Sequence, residues 1–200
     1  MKGICFTEPM FHAVVEGRKF QTRRIIKPNP HFWADNKYPY KWTTDSAIEI
    51  KPRYKAGEKV YIKEPYLICN DFLQYKYDNK PCKNIISCEY MNGGCDCDGW
   101  ENKLFMPEKY ARYFIEIIEV RCERLQYISD EDCLEEGIFD HYDNEYKRKN
   151  GGHFLYENGI DFKRYDKHRE AFAALFNKIN GHGTWESNPY VWVYSFKLIN

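Results

Sequence analysis

The sequence lacks an excess of charge of either sign, and it lacks long hydrophobic runs. Its 30 Lys and Arg residues balance 30 Asp and Glu residues, so the formal net charge is zero. This balance excludes a histone-like protein that holds nucleic acid through bulk positive charge. Charged or polar residues interrupt every apolar stretch well before the roughly 18 residues of a membrane span, and the first residues contain no apolar core of a signal peptide. We therefore expect a soluble, cytoplasmic protein with no membrane role.

The sequence also lacks the paired C-x-x-C spacing that is typical of zinc sites, although it contains eight cysteines. In a cytosolic protein, cysteines are usually thiols or metal ligands rather than disulfides. Four thiolates can bind one Zn²⁺ tetrahedrally and replace a missing hydrophobic core. We expect no required cofactor, with a structural zinc as the alternative, and its candidate ligands fall in one segment poor in apolar residues: Cys82, Cys88, Cys95 and Cys97.

The residues that are present predict one globular domain spanning residues 1–200. The hydrophobic fraction is 43% and the aromatic fraction 18%, which excludes disorder. Strand patterns occur at residues 2–6, 22–26, 59–66, 113–126 and 190–198, and helix patterns at residues 8–16, 129–136 and after residue 166, where Phe172, Leu175, Phe176 and Ile179 have the spacing of a buried stripe. Without a βαβ rhythm, these elements predict an α+β fold with a small mixed or barrel-like sheet. Segments of poorer pattern predict insertions at about 27–56, 67–105 and 139–165.

Charge is unevenly distributed along the chain. Residues 1–63 carry 13 basic and 6 acidic side chains, a net charge of +7, so residues 64–200 carry −7. Such asymmetry can mark a basic binding face, or the two parts can interleave in space. The densest cluster combines four cations with a hydroxyl, a set that can clamp a phosphate or a carboxylate or form a solvated basic turn: Arg18, Lys19, Thr22, Arg23 and Arg24.

Part of this cluster matches a known signature. Gly17, Lys19, Thr22 and Arg24 fit the pattern Gly-x-Lys-x-x-Thr-x-Arg, so the chain resembles the ASCH domain family, a branch of the PUA-like superfamily. Two further stretches match in order, at residues 57–64 and 120–138. The segments MPEKYAR and GTWESNPYVWVYSFK resemble the longer version of this domain that bacteriophages and prophages encode.

The resemblance implies a PUA-like β-barrel with peripheral helices and a cleft lined by the Lys-x-x-Thr segment. It implies binding of RNA or a nucleotide-like small molecule. In a small bacterial branch of the family, a Lys, a Thr and a Glu together hydrolyse the acetyl amide of N4-acetylcytidine. Motif matching carries these roles onto Lys19, Thr22 and Glu136, and a shift of one residue would replace Glu136 by Glu135.

The chemistry of this trio can be stated from the residue types. The Thr22 hydroxyl would attack the amide carbonyl and needs a base, because a free hydroxyl is a weak nucleophile. Lys19 can be that base only if burial or neighbouring cations lower its pKa, while Glu136 would pass a proton to the leaving amine or hold Lys19. Positions 19 and 22 point to opposite faces of a regular strand, so we expect a bend or bulge between them.

A binding module would use neighbouring residues differently. Arg23, Arg24 and Lys63 would meet phosphates, and we add Arg18 and Glu64 to the predicted ligand-binding set. Exposed rings in the first insertion would stack on unpaired bases, or else pack within the insertion: Trp33, Tyr38, Tyr40 and Trp42. We expect RNA or nucleotide binding, with an amidohydrolase as the first alternative. A phage protein-interaction module with an unidentified partner is the second.

Overall fold

The computed structural model describes residues 1–28, 30–32, 39–42, 47–69, 72–78, 100–140, 154–155 and 165–199. Its helices are α1 (Glu8–Val15), α2 (Asp130–Glu135) and α3 (His168–Asn180). Its strands are β1 (Lys2–Cys5), β2 (Gln21–Ile25), β3 (His31–Phe32), β4 (Pro39–Trp42), β5 (Ala47–Glu49), β6 (Lys59–Lys63), β7 (Tyr66–Cys69), β8 (Phe72–Tyr75), β9 (Phe114–Arg124), β10 (Phe139–Asp140), β11 (Phe154–Leu155) and β12 (Tyr190–Ile199). Short 3₁₀ turns lie at Lys76–Asp78, Lys103–Phe105, Glu108–Tyr110 and Leu125–Tyr127.

Five strands form the main sheet, in the order β1-β6-β9-β12-β2. β1 runs parallel to β6, and the other neighbours are antiparallel. The chain is therefore a mixed α+β protein, as the sequence pattern predicts. β12 lies between β9 and β2, and its register places Tyr194 opposite Thr22 and Trp192 opposite Arg24.

Successive side chains of β12 point to opposite faces of the sheet and pack into two separate cores. Tyr194 and Phe196 pack into a core that includes side chains of β1, β6 and α1. Val191 and Val193 point to the opposite face, where they pack against α2 and α3. Since both faces of the sheet are covered, apolar side chains occur at successive positions of this strand.

The predicted stripe of α3 is confirmed in part. Phe172, Leu175 and Phe176 are buried in the second core, but Ile179 is 42% exposed. The prediction that Ile179 is buried is therefore wrong, because the core ends one turn before the helix does. The consequence is an apolar side chain at the open end of α3.

The predicted insertions contain strands and contribute to the core. β3, β4 and β5 form a small antiparallel sheet, β7 pairs with β8, and β10 pairs with β11. Tyr54 follows the first of these sheets, and its hydroxyl donates a 2.9 Å hydrogen bond to the Gly3 carbonyl oxygen, within the first core. The end of the first insertion is thus fixed onto β1.

The two edge strands of the main sheet face each other. β1 and β2 stand at opposite ends of the strand order, yet the Arg24 Nη2 atom on β2 donates a 2.8 Å hydrogen bond to the Cys5 carbonyl oxygen on β1. The sheet is therefore strongly curled. Within the part of the chain that the structure describes, no helix is long and apolar enough to cross a membrane.

Candidate functional site

Lys19 is an interior cation. The chain leaves α1 through Gly17, whose φ of +70° lies in the left-handed region, and the Lys19 amide folds back to donate to the Ala13 carbonyl oxygen. The Lys19 Nζ atom donates to the Glu136 Oε2 atom at 2.6 Å and to the Glu136 carbonyl oxygen at 2.7 Å. β2 begins only at Gln21, so Lys19 precedes the strand and its direction is not set by strand alternation.

Glu136, rather than Glu135, is the interior carboxylate. The Glu136 side chain is 3% exposed, whereas Glu135 is an exposed residue whose Oε2 atom accepts a 2.8 Å hydrogen bond from Gln21 Nε2. Glu136 is the C-terminal cap of α2, and Gly137 follows it with a φ of +96°. This turn directs the Glu136 side chain inward.

Burial sets the proton affinity of Lys19. Loss of solvent is the largest influence, and it lowers the pKa of Lys19 below its ordinary value. The carboxylate of Glu136 acts in the opposite direction, while Arg24 and Arg23 lower the pKa further. The net result is a lysine that releases its proton more readily than an exposed one.

Arg23 is saturated by protein groups. A guanidinium has five N–H donors, and that of Arg23 makes five hydrogen bonds, to Glu123 (3.2 and 2.8 Å), Asp132 (2.6 Å), Glu136 (3.2 Å) and Gln21 (2.8 Å). Its side chain is 0% exposed. No N–H donor of Arg23 remains for a phosphate, so its place in this arrangement is structural.

Sequence reasoning missed several members of this network. Asp132 binds Arg23, Gln21 and Arg121 at 2.6 to 3.0 Å, and Arg121 also contacts Glu123 on its own strand. The sequence contains one signal of this network: Gln21 with Arg23, and Arg121 with Glu123, are polar residues two positions apart on a strand and so share a face. The sequence does not show that these two pairs lie on strands separated by β12 alone.

Thr22 lies on the face of β2 opposite to that of Arg23, because successive residues of a strand point to opposite faces. Its residue is 4% exposed, and its hydroxyl makes no hydrogen bond to any residue in the described ranges. Thr22 and Glu136 line one cavity of about 200 Å³, together with Arg24, Lys103 and apolar side chains of α1 and α3. The structure thus brings Thr22 and Glu136 to one cavity and binds Lys19 to Glu136, but no hydrogen bond joins Thr22 to either.

A larger cavity of about 580 Å³ lies between β1 and β2. Its rings are Tyr54, Trp192 and Tyr194, and none of the described residues that line it is acidic. Five cations line it: Arg24, Lys27, Lys51, Arg53 and Lys63. Lys51 lies 3.8 Å from Glu49, and the other four form no ion pair with the described residues.

Two predicted ligand-binding residues lie outside both cavities. Arg18 pairs with Glu16 and stacks over the Phe139 ring. Glu64 is completely buried and receives two hydrogen bonds from Arg112, at 2.8 and 2.7 Å. Burial is the larger influence on Glu64 and raises its pKa against the effect of Arg112.

The predicted zinc ligands Cys82, Cys88, Cys95 and Cys97 lie outside the described residues, as do Trp33 and Tyr38. Tyr40 and Trp42 belong to β4. Within the described ranges, no group of three or more His, Cys, Asp or Glu side chains is arranged to hold a metal ion.

Comparison of the chain with models of protein families, with curated proteins and with solved structures gives no match in any of the three. The function must therefore be argued from the two cavities and the residues that line them.

Proposed function

We propose that this protein is an ASCH-type domain that binds RNA or a nucleotide-like small molecule in the large cavity between β1 and β2. The observation that carries the proposal is the charge of that cavity: five cations line it, and no acidic residue does among those described. Hydrogen bonds from Arg and Lys to phosphate are about twice as strong as those between neutral groups. The zero net charge of the chain thus conceals a local basic site.

The curled sheet supports a PUA-like barrel as the architecture of this domain. The Arg24 side chain spans the gap between the two edge strands, and such an approach of edges is what barrel closure requires. In such a barrel, Lys19 and Glu136 form a buried ion pair that stabilises the wall of the cleft, since both side chains are removed from solvent.

The aromatic lining gives the cavity a second means of recognition. Trp192 is half-buried, and Tyr54 and Tyr194 are buried. A ring beside cations is the combination by which proteins hold unpaired bases and their phosphates. We therefore expect single-stranded RNA or a nucleotide to bind in preference to duplex.

The test measures the affinity for a fluorescent single-stranded RNA by anisotropy at several salt concentrations. Binding should weaken with salt, with a slope of about −0.7 per phosphate contacted in the plot of log affinity against log salt. Lys63→Ala and Arg24→Ala should weaken binding. Lys178→Ala, which removes an exposed cation of α3, should have no effect. If wild type binds neither RNA nor nucleotides, or if all three variants equal wild type, the proposal fails and an interaction module takes its place.

A second candidate function, hydrolysis of an acyl group from a modified nucleobase such as N4-acetylcytidine, rests on Thr22. Its buried hydroxyl has no partner among the described residues and faces the cavity that Glu136 also lines. In this reaction the Thr22 oxygen would bond to the amide carbonyl carbon and give its proton to the Glu136 carboxylate, which lines the same cavity and is held by Lys19. The C–N bond would then break as the amine nitrogen accepts that proton, and water would release the acyl group from Thr22.

The amidohydrolase is tested by incubating the protein with N4-acetylcytidine and following acetate release. Thr22→Ser keeps a hydroxyl and should retain activity, whereas Thr22→Val, of similar shape, should lose it. Activity that survives Thr22→Val, or absence of activity in wild type, rules this function out.

A further inference from the structure

The two cavities adjoin each other at Arg24. Cys5, Arg24 and Ile25 line both of them, and the hydrogen bond from Arg24 Nη2 to the Cys5 carbonyl oxygen crosses from β2 to β1 between them. Arg24 is an exposed residue and forms no ion pair with the described residues. The Arg24 side chain, which also lies over the Phe6 ring at 5.7 Å, therefore forms part of the wall of both cavities.

The smaller cavity has a different chemistry from the larger one. Its walls are mostly apolar and include aromatic rings of β1's end and of α3, at Phe6, Phe172 and Phe176. An apolar cavity of about 150 Å³ holds a benzene ring, so one of about 200 Å³ has room for a single planar ring. It is too small for a chain of several nucleotides.

The Thr22 hydroxyl lies on the wall of this cavity, which also carries the charged side chains of Arg23, Arg24, Lys103 and Glu136. The Thr22 hydroxyl is buried and makes no hydrogen bond within the described ranges. A hydroxyl both donates and accepts hydrogen bonds, so a ligand in this cavity that offers a donor or an acceptor there can bond to Thr22. The edge of a nucleobase carries both on a flat, otherwise apolar ring.

We propose that the ligand is a single nucleoside phosphate that occupies both cavities at once. Its base lies in the small cavity against Thr22, and its phosphate lies in the large cavity between Arg24 and Lys63. This inference rests on the proposed function and narrows it, because a long RNA backbone would use the large cavity alone. The nucleoside phosphate can be a free mononucleotide or the terminal nucleotide of an RNA strand.

The experiment measures, by isothermal titration calorimetry, the binding of a nucleoside, its 5′-monophosphate and inorganic phosphate. The monophosphate should bind about tenfold or more tightly than either part, because a charge-assisted hydrogen bond contributes more than the 1.4 kcal/mol of one tenfold step. All four common bases are tested as pairs of nucleoside and monophosphate. Equal affinity of nucleoside and monophosphate for every base overturns the inference.

Two variants separate the cavities. Ile179→Trp places a large ring at the rim of the small cavity, from a position that is 42% exposed and therefore tolerant of the change. It should reduce monophosphate affinity to that of inorganic phosphate and leave phosphate binding unchanged. Lys63→Met should weaken both, and Lys178→Met should weaken neither. Circular dichroism of each variant checks that it is folded.

The failure of this inference differs from that of the proposed function. If RNA binds but Ile179→Trp has no effect on any nucleotide, the two-cavity arrangement is wrong while the basic cleft stands. If neither RNA nor nucleotides bind, both are wrong. A 5′-phosphorylated oligonucleotide is then tested as a competitor of the monophosphate. If it competes with the same affinity as the monophosphate, the natural ligand is the terminal nucleotide of an RNA strand. If it does not compete, the natural ligand is a free mononucleotide.

Discussion

The Lys19 ammonium and the Glu136 carboxylate form an ion pair of 2.6 Å in which the two side chains are 0% and 3% exposed. Removing Lys19 leaves the buried Glu136 carboxylate with Arg23 alone, at 3.2 Å, and the loss of one member of a buried ion pair costs more than the pair itself contributes. Lys19 and Glu136 come from segments 117 residues apart, so the pair also fixes α2 against the start of β2.

The first prediction concerns this pair. Lys19→Met should lower the free energy of unfolding by about 3–5 kcal/mol, measured by urea denaturation. Adding Glu136→Gln to Lys19→Met should cost less than the sum of the two single changes, because the two side chains bond directly to each other and each single change already removes that contact. Lys59→Met, at an exposed position of β6, is the matched control. A loss below about 1 kcal/mol for Lys19→Met would contradict the burial of its charge.

The second prediction concerns acid stability. Burial alone would raise the pKa of Asp132, but Arg23, Gln21 and Arg121 outweigh it and lower the pKa below its ordinary value of 3.8. Because the folded-state pKa lies below the unfolded one, the carboxylate stabilises the fold above about pH 4 and loses this effect as the pH falls through the folded value. Asp132→Asn should therefore be less stable than wild type at pH 7, and the difference should shrink at pH 3. Glu170→Gln, on the exposed side of α3, should show no such trend.

The third prediction concerns two cysteines, the buried Cys133 and the half-buried Cys122. Burial raises the pKa of Cys122 to about 11 and that of Cys133 to about 12. Only about one Cys122 thiol in a thousand is then ionised at pH 8, and the thiolate is the reactive form. Iodoacetamide at pH 8 should label both slowly in native protein and rapidly in urea, as peptide mapping by mass spectrometry can show. Native labelling of either at the rate of free cysteine would contradict their burial.

The fourth prediction concerns Gly137. Its φ of +96° strains any residue with a side chain, although the nearest atoms to an added Cβ, those of Ala13 and Lys19, are at an ordinary 3.6 Å. Gly137→Ala should lower stability by about 1–3 kcal/mol through backbone strain and should weaken nucleotide binding by moving Glu136, which lines the small cavity proposed to hold the base. Gly57→Ala, at a φ of +79° with no atom near its Cβ, should destabilise similarly and leave binding intact. Equal binding by both variants would show that Glu136 does not depend on this turn.

Much of the main sheet could be predicted from local pattern. The apolar alternation of β12 and the 3-4 spacing of Phe172, Leu175 and Phe176 on α3 are strong because each element packs a continuous face. The boundaries differ by one to three residues, and small differences are usual where helix and strand ends fray. The insertions gave no such signal, since β3 to β5 and β7 with β8 are short.

The site could be predicted only in part. The motif named Lys19, Thr22 and Glu136 from their order in the sequence, but the network around Arg23 depends on the register of β2, β12 and β9. Register joins residues about 100 positions apart, such as Arg23 and Glu123, and no local pattern carries that information. Arg53 is another example: it lines the large cavity, and its backbone is bonded to the distant residues Tyr194 and Lys2.

The position of β12 has a consequence for how the protein is made. Lys19, Thr22 and Arg24 are synthesised more than 160 residues before β12, the strand with which β2 pairs in the main sheet. Until residue 199 has emerged, β2 and one side of β9 lack their shared neighbour, and both present unpaired strand edges. The cleft therefore assembles late, and chains arrested before β12 should be the aggregation-prone species during expression.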